Sequence, residues 1–347
     1  MLANHEILLS VQDLKVYFHG ENGAVSKAVD GVSYDVRKGE TVCLVGESGC
    51  GKTVSALAIL GLIPQPPGKI EGGAILFKGQ NLLALGEQAL QSIRGKEISM
   101  IFQEPMTSLN PVFTVGEQIE EVIYEHETVE KSVVQRRVIQ LLTDVGLPSP
   151  EENAKAYPHN LSGGQRQRVM IAMALACGPE LVIADEPTTA LDVTIQAQIL
   201  HLFKEIQNKG HMAILHITHN LGVVAEVADR IYVMYAGILA EVGNVEQIFH
   251  DPCHPYTMGL LASLPSRSRK GQPLYTIPGA VPDPAFKPPG CPFHPRCPYV
   301  QESCRREFPT MCDFGDGHRA RCPIILGKRR AEEKRKPVEA TIPKQHL

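Results

Sequence analysis

The sequence predicts an α/β domain built on a buried parallel sheet, followed by a small loop-rich unit that carries cysteines. Two patterns point to this. Four short, mainly apolar runs, at residues 41–45, 98–102, 181–184 and 212–217, are continuous rather than alternating, as strands of a sheet covered on both faces are. Near residue 250 the chain then changes character: proline becomes frequent, helical periodicity fades, and six of the nine cysteines fall after that point.

The 347 residues are 43% apolar and 21% charged, the make-up of a globular protein rather than a disordered or fibrous one. No apolar run reaches the roughly 18 residues that span a bilayer. Residues 1–10 hold no basic segment leading into a long apolar stretch, so secretion is not expected. The net charge of −4 argues against a primary role on nucleic acid. In a reducing compartment the cysteines should be core thiols or ligands rather than a disulfide framework.

Taken in order, residues 7–16 and 32–36 read as short strands flanking turns. The run at 41–45 leads into Gly46-Glu47-Ser48-Gly49-Cys50-Gly51-Lys52-Thr53 and then an apolar helix at 54–62. This G-x-x-x-x-G-K-T loop, after a strand and before a helix, is a phosphate cradle. Backbone N–H groups turn inward, Lys52 reaches the β- and γ-phosphates of a nucleotide, and Thr53 holds Mg2+. The run at 98–102 leads to Gln103. Residues 107–165 contain no further strand run but show helical spacing at 115–124 and 131–145, so they read as a helical insertion.

The sequence Leu161-Ser162-Gly163-Gly164-Gln165 satisfies the capping-box pattern before a helix at 166–177, which makes a second N-terminus with exposed N–H groups. The run at 181–184 ends in Asp185-Glu186. There Asp185 suits Mg2+ and Glu186 an attacking water. The run at 212–217 ends in Thr218-His219. In open α/β sheets ligands bind at the carboxyl ends of the strands, so these polar ends should meet at one edge.

This order of phosphate loop, Gln103, Leu161 to Gln165, Asp185-Glu186, Ala190-Leu191-Asp192 and His219 resembles the ATPase domain of ABC transporters, over residues 7 to about 250. The resemblance implies a RecA-like P-loop core with an antiparallel β subdomain and a helical subdomain at about 107–165. It also implies that two such domains sandwich two ATP molecules head to tail. Ser162, Gly163, Gly164 and Gln165 would then contact the partner's nucleotide, and the loop through Asp192 would cross to that partner. Gln103 would sense Mg2+ and the attacking water, and His219 would contact the γ-phosphate. Phe18, with Tyr17 as the alternative, would stack on adenine. No catalytic position departs from the family pattern, so hydrolysis rather than binding alone is implied.

Beyond residue 250, His254-Pro255-Tyr256-Thr257, Pro278-Gly279 and Gly290-Cys291-Pro292 are similar to the C-terminal extension of ATPases from dipeptide and oligopeptide importers. Met106 to Pro111 and Val193 to Gln198 match as well. That family implies a related second ATPase subunit, two transmembrane permease subunits, an extracytoplasmic binding protein, and a peripheral place on the cytoplasmic face of the inner membrane. Nickel and oligosaccharide importers share the ATPase type, and a soluble non-transport ABC ATPase is the contrasting class.

Cys291, Cys297, Cys304 and Cys322 form a possible four-thiolate site. Their spacing lacks the C-x2-C knuckles of common zinc ribbons, and four cysteines equally suit an iron–sulfur cluster. The chemistry leaves zinc and iron–sulfur open, and the resemblance favours [4Fe-4S]. Cys312 and His318 are alternative ligands, Cys43 and Cys177 read as core thiols, and Cys253 has no assigned role. The extension is read as 251–326, with a charged flexible tail at 327–347.

Overall fold

A computed structural model describes residues 6–21, 23–103, 108–188, 191–210, 212–264 and 275–333 of the protein. By its internal contacts the chain divides into two compact units. One is Met1–Leu239 with Val281–Lys287, and the other Ala240–Ala280 with Pro288–Leu347.

The first unit contains two sheets. Strands β1 (Ile7–His19), β2 (Val25–Arg37), β4 (Gly68–Phe77) and β5 (Gln80–Asn81) form an antiparallel sheet in the order β2-β1-β4-β5. The first two strands run 13 residues each, much longer than the sequence pattern suggested. Register shifts along the β1–β2 pair break the alternation that would have marked their full length.

The four apolar runs all form parallel strands. β3 (Thr41–Val45), β6 (Ile98–Ile101), β7 (Leu181–Asp185) and β8 (Ala213–Thr218), with β9 (Arg230–Tyr235), lie in the order β9-β3-β8-β7-β6. Every residue of β3, β7 and β8 is buried, which is why these runs show no polar face. The register Val45↔Thr218 and Asp185↔Ile217 brings their carboxyl ends to one edge.

Helices Val115–His126, Lys131–Asp144 and Gly163–Leu175 make up the insertion and its return. Val115, Ile119 and Ile123 repeat every four residues, as do Val134, Val138 and Leu142, and all six are buried in one core with Ile101 and Val182. That spacing is one face of a 3.6-residue helix. Thr114 opens the first helix with a complete capping box. Cys43 is fully buried, while Cys177 is only half-buried, its Sγ 3.6 Å from the carbonyl of Val122; it is not the core thiol its apolar surroundings suggested.

In the second unit, β10 (Ile238–Asn244), β12 (His318–Ala320) and β11 (Cys312–Gly315) pair antiparallel. The segment is less loop-like than the sequence pattern indicated: Pro255–Ala262 is a helix capped by the His254 ring, which accepts from Tyr256 N–H. Its residues Pro255, Tyr256, Thr257, Gly259 and Leu261 are buried. A helix buried nearly all round carries no amphipathic period, so periodicity could not reveal it. Among the described residues no helix is long and apolar enough to cross a membrane.

Candidate active site at the strand ends

The phosphate loop links β3 to the helix Lys52–Ile59. Gly51 sits at φ +101, and a Cβ there would come 2.3 Å from the Ala28 carbonyl, so only glycine lets the loop close this tightly. At Gly49 a Cβ would meet nothing within 4 Å, leaving that side of the loop open. Lys52 is buried, and its Nζ donates to the carbonyls of Gly46 at 2.9 Å and Glu47 at 3.2 Å. The ammonium is thus folded over the loop, where a phosphate would displace these contacts. Cys50 is fully buried beneath it, 3.7 Å from Lys52 Nζ, and Ser48 is exposed.

Asp185 ends β7 and is buried, and its Oδ1 has no hydrogen-bond partner. Burial pushes its carboxyl up, and the Glu186 charge adds to this. The Thr53 hydroxyl, which bonds to it, and Lys52 oppose the shift. A buried carboxylate oxygen with no donor, beside the Thr53 hydroxyl, suits a Mg2+ shell.

Glu186 follows at φ +47, a left-handed conformation that costs energy for a residue with a side chain. Its N–H donates to the Ile217 carbonyl, and the turn aims the carboxylate at two neighbours. Gln103 Nε2 donates to Oε2 at 3.2 Å, and His219 Nδ1 lies 2.8 Å from Oε1. The carboxylate is therefore oriented from both sides by residues at the ends of β6 and β8. Gln103, Asp185, Glu186 and His219 thus converge where the sequence placed them.

The second helix N-terminus is separate. The Ser162 hydroxyl accepts from Gln165 N–H, and Gln165 Oε1 accepts from Ser162 N–H. Ser162, Gly163, Gly164, Gln165 and Asp192 line one cleft, and no residue of the phosphate loop or of the Glu186 group lines it. Asp192 also accepts from Ile195 N–H, capping the helix Val193–Gly210. Ala190 and residues 106–107, singled out in the sequence, lie outside the described residues.

Phe18 and Tyr17 differ in what holds them. The Tyr17 hydroxyl donates to Asp30 at 2.7 Å, and Lys27 Nζ stands 5.4 Å from its ring centroid. Phe18 is half-buried opposite Gly68 on β4, where a Cβ would meet its ring edge at 3.0 Å. The Tyr17 hydroxyl is committed to Asp30, and the Phe18 ring packs against β4. Sequence reading did not anticipate that Val281–Lys287 returns to this first unit, where Pro284 O accepts from Lys27 N–H and Lys287 faces Asp30 at 3.6 Å.

In the second unit, Cys291, Cys297, Cys304 and Cys322 all line one cavity of about 370 Å3. Cys312 and His318 do not line it. Gly290, at φ +71, lets the loop approach so closely that a Cβ would fall 2.4 Å from the Cys304 carbonyl. Burial pushes the thiol of Cys291 up to about 11 and that of Cys322 up to about 12, with Cys297 and Cys304 adding to both shifts. Thiols held protonated by burial become good ligands once a metal charge compensates them.

A family model described as "ABC transporter" matches residues 29–189, and one described as "Oligopeptide/dipeptide transporter, C-terminal region" matches residues 240–304. The dipeptide transport ATP-binding protein DppD of Bacillus subtilis is 52% identical over 91% of this chain and 94% of its own length. The chain belongs to the ABC transporter family. DppD of Escherichia coli is 51% identical over 92% of this chain and 97% of its own length, and OppD of Bacillus subtilis, an oligopeptide transport ATP-binding protein, is 52% identical over 90% and 87%. Among solved structures, a dimeric ATP-binding cassette bound to ADP and Pi is 27% identical, covers 68% of this chain, and superposes with a TM-score of 0.61. As an ABC importer ATPase the chain couples ATP hydrolysis to transport.

Proposed function

We propose that this ABC ATPase drives import of dipeptides or oligopeptides. The observation that carries the cargo assignment is the match of residues 240–304 to the C-terminal region named for oligopeptide and dipeptide transporters, joined to about 50% identity with DppD over nine-tenths of the chain. The chain would sit on the cytoplasmic face of the inner membrane, bound to two permease subunits and working indirectly with an extracytoplasmic binding protein. Val112 and Phe113, shortly after Gln103 in the chain, are 70% and 47% exposed and offer an apolar surface to a permease.

The hydrolytic reading rests on Glu186. Its carboxylate, fixed by Gln103 and His219, is placed to take the proton of a water attacking a γ-phosphate, while Lys52 leaves its loop carbonyls to neutralise the phosphate oxygens. Thr53 and Asp185 would hold Mg2+, which supplies charge neutralisation at the phosphates. Phe18 would stack on the base. The cleft of Ser162 to Gln165 and Asp192 would serve a nucleotide bound by a second, related ATPase subunit. Because that cleft is lined apart from the phosphate loop, a partner chain would complete each site.

The four-cysteine cavity fits a [4Fe-4S] cluster better than zinc. A tetrahedral zinc with sulfur at about 2.3 Å would draw the four sulfurs to about 3.8 Å apart. Among the described residues no three of these cysteines bring their sulfurs within 4.8 Å of one another, yet all four border one roomy cavity. Such a wider cage suits a cluster with thiolates at its corners. Its role would be to staple a small unit.

The test is uptake of a labelled dipeptide by vesicles carrying the chain with its second ATPase subunit, its permeases and the binding protein. ATP-driven uptake, abolished by Glu186→Gln while ATP binding persists, supports the proposal. An assembled importer that hydrolyses ATP but moves neither dipeptides nor oligopeptides refutes the cargo. Iron analysis of anaerobically purified protein decides the cluster, and colourless, iron-free protein rejects it.

A further inference from the structure

Behind the cysteine cavity lies a second group of ligand-type side chains. Glu241 on β10 is 0% exposed, Cys253 0%, and His318 on β12 3%. Glu241 Oε1 accepts from the N–H of Cys253 at 2.6 Å and lies 2.7 Å from His318 Nε2; its Oε2 accepts from the N–H of His254 at 2.9 Å. The carboxylate thus holds Nε2–H, which leaves the lone pair of Nδ1 facing Cys253 Sγ at 3.5 Å. The Asp251 carbonyl oxygen is 3.4 Å from the same sulfur. Among the described residues this is the one trio of His, Cys and acidic side chains whose ligand atoms all lie within 4.8 Å of each other.

A thiolate at about 2.3 Å and an imidazole nitrogen at about 2.05 Å from a tetrahedral metal stand about 3.5 Å apart. That is the observed sulfur–nitrogen separation. A carboxylate on the far ring nitrogen is also the usual support of a metal-bound histidine. We propose that Cys253 Sγ and His318 Nδ1 bind a zinc-class divalent ion, with the Asp251 carbonyl as a neighbouring oxygen donor and Glu241 as the positioning residue for the imidazole. Binding forms the sulfur–metal bond and releases the thiol proton to solvent. The charges balance: the ion meets a thiolate, a neutral imidazole and, one bond further out, the Glu241 carboxylate. Burial, followed by the Glu241 charge, pushes the free thiol up to about 12, so in the absence of a cation the sulfur stays protonated. A mixed thiolate, imidazole and oxygen set suits zinc better than magnesium or calcium. The site does not draw on any of the four cavity cysteines and stands whether or not they hold a cluster.

The test is cobalt(II) titration of the purified full-length chain, read by the near-ultraviolet thiolate-to-cobalt band. Wild type and Cys291→Ser each take up one equivalent with this band. Cys253→Ser and Cys253→Ala lose it, and Glu241→Gln weakens uptake about 10- to 100-fold, while wild-type resistance of the C-terminal unit to limited proteolysis shows that this unit is folded in every variant. Should both Cys253 variants keep the wild-type band and stoichiometry, or wild type bind no more cobalt than they do, the contact is a thiol–imidazole hydrogen bond only and the proposal is overturned. Loss of the band in Cys291→Ser but not in the Cys253 variants would assign the metal to the four-cysteine cavity and overturn it equally. Absence of iron at the cavity, by contrast, touches only the cluster reading.

Discussion

His219 Nδ1 stands 2.8 Å from Glu186 Oε1, although the two residues lie 33 positions apart on different strand ends. The contact holds the carboxylate from one side while Gln103 Nε2 holds it from the other. Glu186 is 11% exposed and His219 50%, so the histidine closes the site on its solvent side. His219→Ala should lower kcat of the assembled ATPase by about 100-fold or more with little change in nucleotide affinity. Steady-state kinetics beside equilibrium ATP binding checks this, and a loss confined to binding would contradict it.

The two aromatic neighbours on β1 should separate cleanly. Phe18→Ala removes a surface for the base and should raise KM for ATP about tenfold, near the cost of a lost stacking contact. Tyr17→Phe leaves KM unchanged and costs about 1 kcal/mol of stability by removing the hydrogen bond to Asp30. A KM left unchanged by Phe18→Ala and raised by Tyr17→Ala would reassign the base-stacking residue to Tyr17.

His216, mid-strand in β8, is fully enclosed with neither ring nitrogen bonded. Burial lowers its pKa from 6.5 to about 4. The unfolded chain therefore binds a proton at this residue below about 6.5, which the folded chain accepts only near 4. Stability from this group is complete above pH 6.5 and is lost as pH falls from there towards 4, by on the order of 3 kcal/mol. His216→Leu should flatten that part of the pH–stability curve and raise Tm at every pH, since an unpaired buried polar ring is costly. Thermal melts at pH 5 and pH 7 report both.

Gly290→Ala places a methyl group 2.4 Å from the Cys304 carbonyl at a positive φ. The change should destabilise the C-terminal unit by about 2 kcal/mol or more and lower the iron content that the proposed cluster would give it, while the Glu186 group, built in the other unit, keeps its geometry. Metal analysis and limited proteolysis of the extension measure this. Gly49→Ala in the first unit meets no protein atom but also sits at a positive φ of +78, so it should cost about 1 kcal/mol of stability through backbone strain alone, less than Gly290→Ala, as thermal melts would show.

The candidate nucleotide site was legible because its residues form local patterns. Gly46 to Thr53 is one contiguous loop whose glycines and Lys52 have no other common use in that order, and Asp185-Glu186 and His219 each follow a run of buried strand. The antiparallel sheet was only half visible, because the β1–β2 register shifts interrupt the two-residue period. The helix Pro255–Ala262 was missed because it is buried nearly all round.

The amino-acid order by itself determined the phosphate-loop sequence, the Glu186 carboxylate and its neighbours at the strand ends, the parallel strands, and the set of four cysteines, since each is a short segment with a physical signature of its own. Only the tertiary structure decided that Tyr17 is taken by Asp30, that Asp185 keeps a carboxylate oxygen unpaired, that Cys312 stands apart from the cavity, and that Cys253 meets His318 across 65 residues. Those facts depend on burial and on contacts between distant segments, which no local pattern encodes.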